Sequence, residues 1–233
     1  GALRQGNLKR LLAYASIANG GYLLIALAAS YPDGISVPES AQPMASESLP
    51  LSTVGYPPST EGFSAALFYV VVYGLANLGA FGIIGLLADR MKGEDRLEDF
   101  AGAWQRHPGL SFTFLLFLLS SAGIPPLAGF VGKYYLFYAA FEQVGDVDFL
   151  VGRGGWMVFL VGLALVMSVV SLYYYVKILK AFLVSEEESP HIEDAKEICP
   201  GVKLALFALA ALVLVLGVYP EPLMDLFRSG FAG

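Results

Sequence analysis

The chain has 233 residues, 56% of them hydrophobic and only 15% charged, with a formal net charge of −6 and a mean hydropathy of +0.63. Those values fall outside the range of soluble globular domains and point to a protein whose solvent is largely lipid. One cysteine excludes a disulfide framework within the chain, the two distant histidines (His107, His191) give no metal-ligand spacing, and no phosphate loop follows a strand pattern. Metal, nucleotide and nucleic-acid chemistry are left without candidates.

The opening GALRQGNLKR carries neither a Met nor a signal-peptide pattern and reads as a start inside a longer protein. Five apolar segments then reach the roughly 20 residues that cross a bilayer core of about 30 Å. They cover about 8–29, 63–88, 110–141, 156–176 and 202–219. The expected fold is an all-α polytopic membrane protein of five transmembrane helices, with 1–233 forming one membrane domain. The third segment is too long for one straight span, because about 32 residues would reach roughly 48 Å. A discontinuous helix, broken over 125–132, resolves the excess.

Between the spans, 31–61 is rich in Pro and Ser and reads as an external loop with little regular structure. The 89–108 loop mixes both signs and has room for a short surface helix. Eleven of the fourteen Lys and Arg residues alternate onto one side of the spans, and only Arg153 and Arg228 fall on the other. The positive-inside rule makes the first side cytoplasmic, with the N-terminal end inside, the 89–108 loop cytoplasmic and the C-terminus outside. No internal repeat is visible.

The remaining cation is Lys133, in GIPPLAGFVGKYYLF at 123–137. It precedes Glu142, at the outer end of its span, by about 13 Å of helix. A lysine near the middle of the hydrocarbon costs about 2.5–3.5 kcal/mol, so it belongs against protein or water. Snorkelling to the outer interface is the bland alternative, but the stem covers only about half the distance. Just before it, Pro125 and Pro126 lack N–H groups, which frees carbonyls near Ser121 and Ala122, while Gly129 and Gly132 extend the breaking tract. Irregular backbone at membrane depth is tolerated where protein or a water-filled cavity meets it, and broken helices at midplane are a recurring way to build ion sites. A simple proline kink is the competing reading. An amine whose surroundings change can accept and release a proton, which makes Lys133 a candidate proton carrier.

Further polar residues within the spans are candidates for a proton path: Tyr14, Ser16 and Asn19 in the first, Tyr73 and Asn77 in the second, Ser120 and Ser121 beside the break, Ser168 and Ser171 in the fourth. Each can equally serve as interhelical hydrogen-bonding glue. Gly79, Gly82 and Gly85 suit close helix packing. The 173–175 tyrosines read as an aromatic belt, and Lys177 as an interface anchor or the inner mouth of a path.

The tracts NLKRLLAYASIANGGYLLIAL (7–27), SSAGIPPLAGFVGKYYLF (120–137), SLYYYVKILKAF (171–182) and VLGVYPEPLMDL (215–226) resemble, in order, the C-terminal five helices of the subunit N family of the proton-pumping NADH:quinone oxidoreductase, respiratory complex I. The tract around Lys133 is specific to the wider antiporter-like superfamily, and the four together favour subunit N. The resemblance implies a complete subunit of fourteen helices in two inverted repeats, of which this chain would supply the tenth to the fourteenth. The family's lysine on the second broken helix maps onto Lys133. Where family members often carry Ser-Ser-Ile-x-His, this chain has Ala15-Ser16-Ile17-Ala18-Asn19, and its 31–61 loop is longer than expected.

The function so implied is that of a non-redox, proton-translocating subunit of an oxidoreductase in the bacterial inner membrane. NADH, FMN, iron–sulfur clusters and quinone would reside in partner subunits, no cofactor or metal in this chain. Its partners would be other membrane subunits of complex I, including neighbouring antiporter-like subunits, and the lipid bilayer. A subunit of a multisubunit cation/proton antiporter or membrane-bound hydrogenase is the alternative, and a non-transporting membrane scaffold a second.

Overall fold

The computed structural model describes residues 5–30, 60–88, 96–142, 153–184 and 199–231. Eight α-helices fall within them: α1 Leu8–Ser30, α2 Thr60–Ala88, α3 Ala103–Arg106, α4 Pro108–Ala122, α5 Ala128–Glu142, α6 Arg153–Val184, α7 Pro200–Val218 and α8 Glu221–Phe231, with a 3₁₀ turn at Leu97–Phe100. Of these, α1, α2, α6 and α7 contain stretches long and apolar enough to cross a membrane, and α4 is a shorter apolar helix. The protein is thus a nearly all-helical membrane protein. The loop expected at 31–61 lies outside the described residues except for Thr60 and Glu61, which already belong to α2.

The helix ends follow from local chemistry. The Asn7 side chain accepts the Arg10 amide at 3.0 Å and starts α1. Proline stands in the first turn of both α4 and α7, where its missing N–H and fixed φ suit a helix start. Among the described residues of the 89–108 loop, the expected surface helix is two short pieces. Asp99 caps the 3₁₀ turn by accepting the Arg96 amide at 2.8 Å, and Gly102, with φ of 72°, turns the chain into α3. Leu97 and Phe100 of this segment are buried, so it is an anchored lid on the bundle end and not merely a solvated loop. Phe100 and Phe114 both pack on Phe182, at 5.5 and 4.6 Å between ring centroids.

α2 is the axis of the packing and touches α1, α4, α5, α7 and α8. Phe68, Val72, Ile83 and Ile84 of α2 meet Leu11 of α1, Phe114 and Phe117 of α4 and Val213 of α7 in one buried cluster. Small residues set the distances. A Cβ at Gly79 would overlap the Phe117 ring and one at Gly82 would stand 3.3 Å from Leu206, whereas Gly85 faces open space. α6 lies at the margin, with Trp156, Phe159, Val166 and Val169 exposed.

The sequence reading differs from the structure at several boundaries. α6 extends beyond 156–176 at both ends, because the flanking Lys and Arg side chains do not stop a helix. α8 has no counterpart among the expected spans: at 11 residues it is too short to cross, yet its Leu223, Met224 and Phe227 pack on the core. The interruption between α4 and α5 occupies 123–127, so Gly129 and Gly132 are helical and buried in α5 and not part of the break. Both are there for approach: a Cβ at Gly129 would overlap the Ser120 carbonyl, and one at Gly132 would stand 3.0 Å from the Tyr69 ring.

Gly79→Ala is expected to destabilise the membrane domain by about 1–3 kcal/mol, as overpacking against a fixed ring does. Gly85→Ala is expected to be neutral or stabilising by up to about 1 kcal/mol through helix propensity. Denaturation of the detergent-purified subunit distinguishes the two, and equal effects would contradict the packing described.

Candidate functional site

The site begins at the C-terminus of α4. Gly123 adopts φ of 84°, the left-handed conformation that ends helices, and its amide donates to the Ser120 carbonyl at 2.9 Å while the Ile124 amide donates to that of Leu119 at 3.0 Å. This is a Schellman closure, and it satisfies two of the last four carbonyls of α4. Those of Ser121 and Ala122 are left over, because the residues four positions on are Pro125 and Pro126, which have no N–H to offer. Lys133 supplies the donors. Its Nζ donates to the Ser121 and Ala122 carbonyls at 3.1 and 3.2 Å. A positive charge here also faces the negative end of the α4 dipole.

The start of α5 is closed in a complementary way. The Gly129 amide, one of the unpaired donors of a helix N-terminus, donates to the Ser120 hydroxyl at 3.1 Å. The two half-helices therefore satisfy each other across the break: a hydroxyl from α4 caps α5, and an ammonium from α5 caps α4.

Lys133 is 6% exposed. Its third hydrogen points toward the Ser168 hydroxyl on α6, 3.5 Å away, and its charge lies 5.4 Å from the centroid of the Tyr22 ring on α1, within cation–π range. Among the described residues no carboxylate pairs with it.

A second polar group stands on the α1–α2–α6 side. Asn19 accepts the Tyr69 hydroxyl at 2.9 Å and donates to the Tyr175 hydroxyl at 3.5 Å and to the Ala15 carbonyl at 3.0 Å. Tyr69 stacks on Tyr73 with centroids 5.8 Å apart. The Ser171 hydroxyl donates to the Ser168 carbonyl at 2.6 Å. The hydroxyls of Tyr22, Tyr73 and Tyr174 are buried without a direct partner. Unpartnered buried hydroxyls are rare in native proteins and commonly mark ordered water. Room for it exists. A groove of about 470 Å³ between α5 and α6 reaches Lys133 and Ser168, and one of about 550 Å³ between α1 and α6 has Tyr22, Ser171 and Tyr174 along its wall.

Of the residues expected from sequence, Lys133, Ser120, Ser121, Ser168, Ser171, Asn19 and Tyr73 come together here. Asn77, half-buried, lies one turn beyond Tyr73. Ser16 donates to the Leu12 carbonyl of its own helix at 3.0 Å, and Tyr14 and Lys177 are exposed, away from the cluster. Pro125 and Pro126 stand exposed at the turn, joined by a cis peptide bond. Four residues were not anticipated: Tyr22, Tyr69, Tyr174 and Tyr175. Tyr174 and Tyr175 are 5% and 1% exposed, so they are not belt residues; Tyr173 alone faces outward. The signal was present as a helical stripe, since 164, 168, 171, 174–175, 178 and 182 recur every three to four residues. Tyr22 likewise follows Asn19 by three and Tyr69 precedes Tyr73 by four.

Residues 1–37 and 51–160 match the family described as NADH:quinone oxidoreductase/Mrp antiporter, TM. An NADH-quinone oxidoreductase subunit N 2 of Acidobacterium capsulatum is 38% identical over 229 residues, which are 97% of this chain and 38% of that protein. A chain of respiratory complex I from Thermus thermophilus, solved with bound aureothin, superposes with a TM-score of 0.65 at 31% identity, over 96% of this chain and 41% of that one. A chain of the Mrp complex from Dietzia sp. DQ12-45-1b gives a TM-score of 0.72 at 20% identity, over 100% and 43%, which is a likeness of fold. The chain thus spans about two fifths of the length of the relatives it matches.

Replacing Asn19 by Leu leaves the Tyr69 and Tyr175 hydroxyls buried without their partner, at an expected cost of about 1–3 kcal/mol. Ser120→Ala, which removes one helix cap, is expected to cost about 1 kcal/mol. Thermal denaturation of the purified subunit checks the order, and a Ser120 effect larger than that of Asn19 would contradict it.

Proposed function

The chain belongs to the NADH:quinone oxidoreductase/Mrp antiporter transmembrane family, and we propose that it is the C-terminal part of an antiporter-like subunit N that moves protons through Lys133 within a respiratory complex I. The observation that carries this reading is the ammonium of Lys133 seated on the two carbonyls at the C-terminal end of α4, without a carboxylate partner among the described residues.

In this reading α4 and α5 together make a fifth, discontinuous crossing, since each has 15 residues and spans only about 22 Å. The whole subunit would be an antiporter-like fold of fourteen helices. The basic residues support a cytoplasmic N-terminal end and 89–108 loop and an external 31–61 loop and C-terminus. The chain's own groups act as follows. An ammonium has three donors, and two of them are held by the Ser121 and Ala122 carbonyls. The third is the transferable proton, and Ser168 is the group it faces. A neutral amine keeps two donors for the same carbonyls and turns its lone pair to the Ser168 hydroxyl. The lysine therefore stays in its seat in both protonation states. Beyond Ser168, Ser171, the Tyr22, Tyr73 and Tyr174 hydroxyls and the Asn19–Tyr69–Tyr175 group line a route that water completes.

Redox chemistry belongs to partner subunits in this reading: NADH, FMN, iron–sulfur clusters and quinone are theirs, and quinone reduction drives this subunit through charge rearrangement along buried ionisable groups. The fold alone does not separate this from a cation/proton antiporter, because the Mrp complex shares it; the 38% identical subunit N 2 favours the oxidoreductase.

The test is the complete complex in inverted membrane vesicles, following quinone reduction and proton uptake together. Lys133→Ala is expected to assemble and to lower uptake or turnover several-fold. Lys133→Arg is expected to fail equally, since a guanidinium keeps the charge but does not give up its proton. Normal pumping by either variant, with Lys133→Met also normal, would establish the scaffold reading.

A further inference from the structure

The turn between α4 and α5 is pressed from one direction by α7, a helix that carries none of the site residues. A Cβ at Gly217 would overlap the Pro126 carbonyl oxygen, the Leu127 carbonyl carbon and the Ala128 amide nitrogen. All three are backbone atoms, which cannot move aside as the tip of a flexible side chain does. Gly217 lies in the last turn of α7 with helical backbone, so it is glycine for close approach and not for an unusual conformation.

The position of the contact gives it consequence. Pro126 and Leu127 are the final residues before α5 and Ala128 is its first, so α7 abuts the point from which α5 is launched. Lys133 follows within two turns, and its side chain runs back across the break to α4. The distance from the ammonium to the Ser121 and Ala122 carbonyls is thereby fixed by where α5 starts.

The end of α7 is itself held. The chain leaves it at Tyr219, enters α8, buries Met224 and binds Arg228 to Glu61 of α2 at 2.9 Å. Val218, beside Gly217, is 72% exposed and touches none of this.

We propose that Gly217 is a positioning residue for Lys133, the last turn of α7 being the stop against which the 123–127 turn is seated. The inference rests on the proton-carrier reading given above. A side chain at 217 displaces the start of α5, pulls the amine from its carbonyls and breaks coupled transfer while leaving every group on the route chemically intact.

The experiment uses the complete complex in inverted vesicles, with Gly217→Ala, Val218→Ala as control and Lys133→Ala as reference. Gly217→Ala is expected to assemble and to leave the KM for quinone unchanged. Proton uptake per quinone reduced should fall by roughly two- to tenfold, within the hundredfold that misplacing a reacting group by about 1 Å can reach. Amide hydrogen exchange should rise in 123–130 and nowhere else, whereas general loosening of the bundle would raise it throughout. Val218→Ala should match the wild type. If Gly217→Ala does not assemble, the double variant Met224→Ala, Arg228→Gln, which removes both the buried and the charged hold on α8 without adding bulk, is expected to give the same rise in exchange at 123–130 with a smaller loss of uptake. Wild-type uptake and exchange in Gly217→Ala overturns the inference, as does wild-type exchange at 123–130 in the double variant when Gly217→Ala cannot be assembled. Normal uptake in Lys133→Ala defeats the proton-carrier reading instead; uncoupling there with a normal Gly217→Ala defeats only this inference.

Discussion

Two unfavourable terms meet at the end of α4 and offset each other. Carbonyls buried without donors cost about 1–3 kcal/mol each, and burying an ammonium such as that of Lys133 without partners costs on the order of several kcal/mol. Neither the open helix end nor the buried cation is stable by itself. Set 3.1 and 3.2 Å apart, the two form a single unit, and the surrounding helices serve to keep them at that distance. Without the two prolines α4 would run on and its carbonyls would be occupied. The turn after α4 is therefore what creates the cation's seat, and the seat is what allows the cation to be buried.

Close backbone approach is the means of holding that geometry. Gly129 brings the start of α5 against Ser120, Gly132 brings its next turn against Tyr69 of α2, and Gly217 brings α7 against the turn itself. In lipid, apolar burial gives little drive for one helix to seek another, and small residues that permit dense contact take over. The same logic explains why α2, with glycines among its aromatic and β-branched residues, can touch five other helices while α6, with a bulky outer face, stays peripheral.

Much of this was legible in the sequence. Apolar length marked α1, α2, α6 and α7, and the Pro125–Pro126 pair marked the end of α4 and its free carbonyls. The end points were less so. Gly129 and Gly132 look like breakers on paper, since a glycine kept for approach and a glycine kept for a turn are the same letter; only Gly123 has the positive φ. Tyr174 and Tyr175 were misplaced because tyrosines near a span's basic end usually sit at the lipid interface. Their burial follows the stripe of α6, while the partner of Tyr175, Asn19 on α1, is a pairing across 156 positions that one helix's pattern does not contain. α8 was missed because its 11 residues fall short of a span, although Leu223, Met224 and Phe227 share one face; the Arg228–Glu61 pair that fastens it is tertiary.

On the proton-carrier reading proposed above, a lysine that keeps the same two carbonyls in both protonation states occupies one depth in the membrane's electric field. Moving an elementary charge across the whole membrane involves about 2.3 kcal/mol per 100 mV. If α4 and α5, of 15 residues each, form the one discontinuous crossing proposed, that electrical work is divided into two comparable legs, one for reaching the lysine and one for leaving it. A long arm swinging through the membrane would shift the division during every cycle. A seated one makes the voltage dependence of each leg a fixed property of where the helix is broken.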